Sequence, residues 1–178
     1  MEGLTRITAQ HGAPVLIHAP IVTMKVAAVR GQKVDELFRS GRREEPAGRK
    51  GKGAEDNDGR IAGWTLRREY RSTFRGNLEG SEKIVSGEFI GRAAAGAAVV
   101  PISVEQGLFR DMSLSLGDEI EWDVQGVPIR TRVASVRTVE WRRLEPNFFV
   151  VFPEGVLEAA PKFHVAAVRT QTVDQSAV

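Results

Sequence analysis

The sequence predicts an α+β fold that contains a small, mainly β, barrel-like module. Runs of β-branched residues bounded by Gly and Pro recur along the chain and indicate strands. Short stretches between them, such as residues 33–39, carry apolar side chains at helical spacing. Within residues 103–139 a short helical pattern, a Leu-Gly-Asp turn and a hairpin follow one another, and this combination indicates the barrel-like module.

Composition limits the classes of function. A chain of 178 residues can bury roughly 70% of the surface that its unfolded form exposes, which supports one substantial core or two small lobes. The absence of cysteine excludes disulfide frameworks, thiolate catalysis and thiolate zinc sites. A net charge of only +2 does not indicate a nucleic-acid partner. No apolar run approaches the roughly 18 residues of a membrane span.

The first part of the chain predicts two helices and two strands. Residues 2–12 have the pattern of a short amphipathic helix. Runs of β-branched residues predict strands at 14–18 and 21–30, with a break at Ala19 and Pro20 between them. A second short helix is predicted at residues 33–39, with its apolar side chains facing inward.

The middle of the chain begins with a charged segment. Residues 40–60 contain Gly, Pro and charges of both signs but no apolar side chain larger than alanine, which predicts a mobile loop. The apolar residues of 61–75 fit both the period of a helix and the alternation of a strand. Their aromatic and Thr content favours a strand. A turn or short strand at 84–87 and a buried strand at 97–102 complete this part.

The last part of the chain is rich in predicted strands. Ser103 is a suitable N-cap for a helix that runs to Met112. Gly126 marks a hairpin turn, because alternating apolar residues flank it on both sides. Four strands are predicted here, at residues 119–125, 127–139, 147–152 and 163–169.

No motif for catalysis, cofactor binding or metal binding stands out. The three histidines, His11, His18 and His164, lack the spacing of metal ligands. The chain contains neither G-x-S-x-G nor a phosphate-binding glycine motif. Asp118 and Glu119 follow a turn glycine, where such carboxylates commonly accept hydrogen bonds from nearby backbone N–H groups. The sequence therefore predicts no catalytic, cofactor-binding or metal-binding residue.

One group of cationic and aromatic residues forms a candidate interaction patch. Arginine interleaved with aromatic side chains is typical of platforms for single-stranded nucleic acid. Glu69 lies among the arginines, however, and the whole chain is nearly neutral. A solvated strand face with ion pairs, or a contact with a protein or a lipid head group, is therefore favoured over nucleic acid. The members of the patch are Arg67, Arg68, Tyr70, Arg71, Arg75, Trp141 and Arg142.

Several longer segments point to a known family. They are RREYRSTFR at 67–75, EKIVSGEF at 82–89, LGDEIEWDVQGVPI at 116–129 and VASVRTVEWRRLEPNFFVVFPEGVLEAAP at 133–161. In this order they resemble the extracytoplasmic, MacB/FtsX-like periplasmic core domain of bacterial ABC-transporter permeases, in particular the YbbP-type predicted permeases. The resemblance covers roughly residues 61–168 and, more weakly, residues 11–38.

The resemblance implies a fold, a location and partners. It implies a periplasmic, porter-like α/β lobe formed by residues 1–96 and 141–178, with a small, mainly β lobe inserted at residues 97–140. Such a domain is non-catalytic and holds no cofactor. Its implied partners are the transmembrane helices of the same permease, a separate cytoplasmic ATPase subunit, a lipid or periplasmic protein, and a second copy of the domain. ATP-driven motion reaches the domain through the helices.

Two other functions stay open on the sequence. A short helix followed by Leu-Gly-Asp-Glu-Ile and a hairpin is also typical of cytosolic double-psi or AbrB-like β-barrels, which bind DNA or a cofactor. DNA binding with a steep salt dependence would favour this alternative. The third hypothesis is a lipid hydrolase, and it requires ester turnover that depends on a single Ser or His.

Overall fold

The computed structural model describes residues 15–43, 61–94, 96–142 and 146–168. The helix predicted at 2–12 and most of the loop predicted at 40–60 lie outside the described residues. The described residues form nine strands and three helices. In chain order they are β1 (Val15–Val29), β2 (Gln32–Lys33), α1 (Val34–Arg43), α2 (Gly63–Arg67), β3 (Tyr70–Phe74), β4 (Glu82–Gly87), β5 (Val100–Glu105), α3 (Gln106–Asp111), β6 (Glu119–Val124), β7 (Val127–Val139), β8 (Val150–Phe152) and β9 (Phe163–Val168).

Six of the strands close into a barrel. Going round it, β1 pairs with β3, β3 with β8, β8 with β5, β5 with β7, β7 with β6, and β6 with β1 again. The β3–β8 and β5–β7 pairs are parallel, and the other four pairs are antiparallel. The remaining strands lie outside this ring: β2 and β9 each pair with β1, and β4 pairs with β7.

The predicted α+β class with a porter-like lobe is wrong, because the described chain is mostly β and closes into a barrel. Strands of the ring come both from residues 97–140 and from the flanking parts of the chain. The sequence pattern hid this arrangement, since β1 pairs with β3 and with β6, which lie far downstream. Periodicity reports the local state of one segment and carries no information about such distant pairing.

Alternating apolar residues fill the barrel. Val22 and Met24 of β1 and Ile120 and Trp122 of β6 are buried in one hydrophobic core. Residues two apart share a face of a strand, so each pair lines the same side of its strand. The fully buried indole of Trp122 donates its Nε1–H to Thr131 Oγ1 at 3.0 Å, which removes the cost of burying an unpaired donor.

The predicted break at Pro20 is wrong, since β1 runs through this residue as one strand. Up to Ile21, β1 pairs with β9, from Val22 to Met24 it pairs with β3, and from Lys25 it pairs with β6. Proline has no backbone N–H, but its carbonyl still accepts a hydrogen bond, here from Thr73 Oγ1 at 2.7 Å. Pro20 therefore marks an exchange of partners and not the end of a strand.

Residues 61–75 contain both structures that their pattern allows. α2 occupies the first half and β3 the second, so the predicted strand is confirmed only for Tyr70–Phe74. The Tyr70 hydroxyl donates to the Thr65 carbonyl oxygen at 2.7 Å. This bond satisfies one of the carbonyl groups that a short helix leaves without an intrahelical partner.

α3 begins later than predicted, and its N-cap is Glu105 instead of Ser103. The Glu105 carboxylate accepts the Leu108 N–H at 2.9 Å. Ser103 remains in β5, opposite Val151 of β8 on one side and Ser135 of β7 on the other. Pairing on both edges of β5 outweighs the preference of serine for an N-cap.

The predicted hairpin at 119–139 is confirmed. Val124 of β6 lies opposite Val127 of β7, which leaves Gln125 and Gly126 as a two-residue turn. Their φ angles are +53° and +94°, as a type I′ turn requires. Asp123 Oδ1 accepts the Gly126 N–H at 2.6 Å and strengthens the turn. The predicted helix at 33–39 and the predicted strands at 147–152 and 163–169 are confirmed by α1, β8 and β9.

Candidate functional site

An arginine stacked among three aromatic rings is the most distinctive surface feature of the described chain. Arg68 follows α2, and its guanidinium carbon lies 4.5 Å from the ring centre of Phe149. The ring centres of Trp64 and Tyr70 each lie 5.3 Å from the same carbon. All three distances are within the range of cation–π attraction, so the rings restrain the guanidinium.

Short-range hydrogen bonds fix the chain around Arg68. Thr65 Oγ1 donates to the Ala62 carbonyl oxygen at 2.7 Å, and the Tyr70 hydroxyl donates to the Thr65 carbonyl oxygen at the same distance. Tyr70 is fully buried, and burial raises the pKa of its phenol well above the usual value. Tyr70 therefore stays a neutral hydrogen-bond donor that links α2 to the start of β3.

The aromatic contacts continue to a second exposed tryptophan. The ring centres of Trp141 and Phe149 lie 5.1 Å apart. Trp64 and Trp141 are 43% and 49% exposed, with Arg68 and Phe149 half-buried between them. We call these four residues the aromatic–arginine surface. It joins two exposed tryptophans, whereas exposed apolar residues on most protein surfaces are scattered singly.

The guanidinium of Arg68 keeps its hydrogen-bond donors available. Within the part of the chain that the structure describes, no carboxylate or carbonyl oxygen accepts a hydrogen bond from it. A guanidinium is planar, permanently charged and carries five N–H donors, which matches the geometry of a carboxylate or a phosphate. The guanidinium of Arg68, held by the three rings, therefore has the geometry to bind an oxyanion.

The structure brings together three of the seven residues of the predicted interaction patch. Arg68 contacts Tyr70 directly, and Trp141 joins them through Phe149. Phe149 was missed by sequence reasoning because it lies in an apolar run that reads as core. Its neighbour Phe148 is in fact buried, and only the alternation of a strand separates the two side chains.

The other four residues of the predicted patch have different environments. Arg67 stacks on Phe38 of α1 at 4.7 Å. Arg71 and Arg142 are exposed. Arg75 does not belong to the aromatic–arginine surface. Its Nη2 donates to Glu82 Oε2 at 2.5 Å, and this ion pair is part of a buried network.

That network crosslinks distant parts of the chain through Arg137 of β7, which is fully buried. Arg137 Nε donates to Glu82 Oε1 at 2.9 Å, and its Nη1 donates to the Ser103 carbonyl oxygen at 2.8 Å. Its Nη2 donates to the Phe148 carbonyl oxygen. Burial lowers the pKa of Arg137, and the charge of Glu82 opposes that effect. Sequence reasoning missed this residue because an arginine in a strand reads as exposed.

A cleft of about 770 Å³ opens beside Arg75, and one of its lining residues, His18, forms a pair with His164. His18 Nε2 lies 2.7 Å from His164 Nδ1, with the two rings inclined by only 13°. Burial, followed by the charge of His164, lowers the pKa of His18. The described residues contain no group of three or more His, Cys, Asp or Glu side chains that could hold a metal ion.

Comparison with known proteins gives one informative similarity. No family model matches the chain, and no solved structure matches it. A stretch of 104 residues is 31% identical to an uncharacterized ABC transporter permease, YbbP, of Escherichia coli K12. The similarity supports a region related to an ABC-transporter permease. The stretch covers 58% of this chain but 12% of the permease, so the chain spans a small part of that relative's length.

The similarity carries only general consequences. It does not extend to the activity, the substrates or the partners of the whole permease, of which the matched stretch covers 12%. None of the helices that the structure describes has the length and apolar character needed to cross a bilayer.

Proposed function

We propose that this chain is a non-catalytic, extracytoplasmic domain of an ABC-transporter permease. In this proposal the domain passes ATP-driven motion of the membrane helices to a lipid, a lipoprotein or another periplasmic partner. The similarity to a permease supports the transporter role. The absence of any catalytic motif in the sequence is consistent with a mechanical function.

The pairing of β1 with β9 is the observation that carries the proposal. Val15 lies opposite Val168, so the chain reaches and leaves the barrel on two adjacent antiparallel strands. Adjacent ends allow a domain to be inserted into a longer chain. Two neighbouring helices of a permease can hold the barrel through such a connection. Because hydrogen bonds join the six strands all the way round, the barrel then turns as one body.

The aromatic–arginine surface is the contact region in this proposal. Tryptophan and arginine are the residue types that most often dominate the energy of an interface. Here Trp64 and Trp141 are both about half exposed, and Arg68 between them has donors without described acceptors. A partner that covers this surface gains apolar contact and a charged hydrogen bond together.

Cysteine labelling in cells tests the proposed location. The chain itself has no cysteine, so labelling beyond that of the unsubstituted full-length protein reports on the introduced thiol. Val127 is 60% exposed, and Val127→Cys in the full-length protein should react with a membrane-impermeant maleimide in intact spheroplasts. Leu108→Cys is the matched control, because Leu108 is buried and its thiol should react only after denaturation. Labelling of Val127→Cys only after lysis contradicts the proposal.

A replacement experiment tests the mechanical role. Replacing the barrel by a short flexible linker in the full-length permease should abolish transport or partner binding and leave binding of the ATPase subunit intact. Unchanged transport would show that the barrel does not pass motion to a partner.

The closed barrel favours a second candidate, a β-barrel binding module for DNA or a cofactor. Binding of a DNA duplex that weakens steeply as salt increases would support this candidate. No binding at low salt would reject the DNA form of it. The net charge of only +2 makes the DNA form the weaker of the two functions.

A further inference from the structure

We propose that the aromatic–arginine surface binds the head groups of anionic phospholipids at a membrane surface, with Arg68 on a phosphate and Trp64 and Trp141 in the interfacial layer. This inference rests on the proposed permease role, because it places the barrel beside a bilayer. It adds the chemical class of the partner and the residues that recognise it.

Arg68 supplies the group that binds the anion. The rings of Trp64, Tyr70 and Phe149 lie 4.5 to 5.3 Å from its guanidinium carbon, which fixes the side chain without using its N–H groups. No described residue accepts a hydrogen bond from those groups. The phosphate diester of a phospholipid presents two free oxygens, which a guanidinium can bind with two parallel hydrogen bonds.

Trp64 and Trp141 supply the interfacial contacts. An indole combines a large apolar surface with one N–H donor, and tryptophan is enriched at the boundary between bilayer and water for this reason. The chain has three tryptophans, and the third, Trp122, is fully buried in the barrel. Both exposed tryptophans therefore belong to the surface that contains Arg68.

The charge around the surface favours a lipid bilayer with anionic head groups. Residues 64–71 contain three arginines and a single carboxylate, Glu69. Arg67, Arg71 and Arg142 are exposed, and within the described parts of the chain none of them forms an ion pair. Each unpaired cation near an anionic membrane adds to the attraction, whereas an apolar protein partner would leave these cations without counter-charges.

Tryptophan fluorescence of the purified chain tests the inference. Vesicles of phosphatidylcholine with phosphatidylglycerol are compared with vesicles of phosphatidylcholine alone. Because Trp122 is already buried, a blue shift of the emission on mixing reports on Trp64 and Trp141. We expect a blue shift and co-sedimentation only with the anionic vesicles, and we expect both to weaken as salt increases.

Substitutions locate the binding site. Arg68→Gln should weaken vesicle binding about fivefold, the effect of one cation close to an anionic surface. Arg68→Lys keeps the charge but lacks the planar fork, so it should recover only part of the loss. Arg132→Gln is the matched control, because Arg132 is an exposed arginine of β7 outside the surface, and its loss should change binding less than about twofold. The near-ultraviolet circular dichroism of buried Trp122 checks that each variant is folded.

Three results would overturn the inference. The first is the absence of a blue shift with anionic vesicles, and the second is an equal loss for Arg68→Gln and Arg132→Gln. The third is binding of inorganic phosphate or an acidic peptide at Arg68 without any binding of vesicles. Because cysteine labelling tests the location separately, extracytoplasmic labelling with no vesicle binding rejects the lipid partner and leaves the permease role standing.

Discussion

At the scale of single residues, Arg137 holds together parts of the chain that are distant in sequence. Its guanidinium donates to Glu82 and to the carbonyl groups of Ser103 and Phe148. We expect Arg137→Met to lower the free energy of unfolding by about 3–5 kcal/mol, because it leaves two carbonyl groups unpaired and removes a counter-charge from a buried carboxylate. Urea titration of the variant measures this loss.

An exposed ion pair provides the control for Arg137. Arg130 Nη2 lies 3.1 Å from Glu119 Oε2, but the two side chains are 56% and 46% exposed. Solvent screens such a pair, so Arg130→Met should cost less than about 1 kcal/mol. Similar losses for Arg137→Met and Arg130→Met would show that burial is not the reason for the importance of Arg137.

The histidine pair gives the chain a response to acid whose sign can be worked out. The pKa of His18 is lowered in the folded chain, by burial and by the charge of His164, so the unfolded chain takes up its proton at a higher pH. Stability from this site is therefore present above the ordinary histidine pKa of 6.5 and is lost as the pH falls below it. We expect the hydrogen-exchange protection of β9 to decrease between about pH 7 and pH 5. His164→Gln should flatten this dependence, and an unchanged dependence would exclude the pair as its source.

Residue composition revealed part of the candidate site. Arg68 and Trp141 stand out in the sequence because arginine and tryptophan are enriched among the residues that dominate the energy of interfaces. Phe149 and Arg137 could not be recognised, since burial depends on which strands cover them. The contact between His18 and His164 was equally hidden, because the two residues meet only when β1 and β9 pair.

At the scale of elements, the start of α3 depends on a carboxylate and a glycine two residues apart. Glu105 accepts the Leu108 N–H, and a Cβ on Gly107 would lie 2.9 Å from the Glu105 carboxylate. Glu105→Ala should cost about 0.5–2 kcal/mol through loss of the cap. Gly107→Ala should destabilise the native chain, because its methyl group displaces the capping carboxylate.

The contact between Glu105 and Gly107 predicts that the effect of Gly107→Ala on stability changes sign when Glu105 is replaced. In the Glu105→Ala background there is no carboxylate to displace, so Gly107→Ala should stabilise the helix by up to about 1 kcal/mol. Urea titrations of the two single variants and the double variant measure the coupling between the sites. Additive effects would show that Gly107 does not serve the cap.

Elements that depend on local chemistry were the ones predicted well. The β6–β7 hairpin follows from alternation and from a glycine that adopts positive φ in its turn. α2 was read as a strand because five residues are too few for a helical period to show. The start of α3 was placed early because Ser103 has a strong local preference, which the pairing of β5 with β7 and β8 overrides.

At the scale of the whole molecule, closure of the barrel was beyond local patterns. The ring requires β1 to meet β6, and β3 to meet β8, across long stretches of chain. Each of these pairings is decided by the fit of all six strands around the core that contains Trp122. Propensity and period describe single segments, so the sequence indicated a barrel-like module but not that strands outside residues 97–140 complete it.

We expect that the β1–β9 pairing can be broken while the ring of six strands stays folded. None of the six pairings of the ring involves β9, which pairs only with β1 among the described strands. Val165 lies opposite Ala19, and Val165→Pro removes a backbone donor from this ladder. We expect the near-ultraviolet signal of Trp122 to persist, and hydrogen-exchange protection to fall in the part of β1 before Val22.

A proline inside the ring supplies the contrast. Val133 of β7 is buried beside β5, and Val133→Pro should abolish the Trp122 signal because it breaks a ring pairing. If Val165→Pro also abolished that signal, the barrel would depend on its connection and could not turn on it as one body. If the barrel persists, the β1–β9 pair is a connection that can loosen without unfolding the ring of six strands.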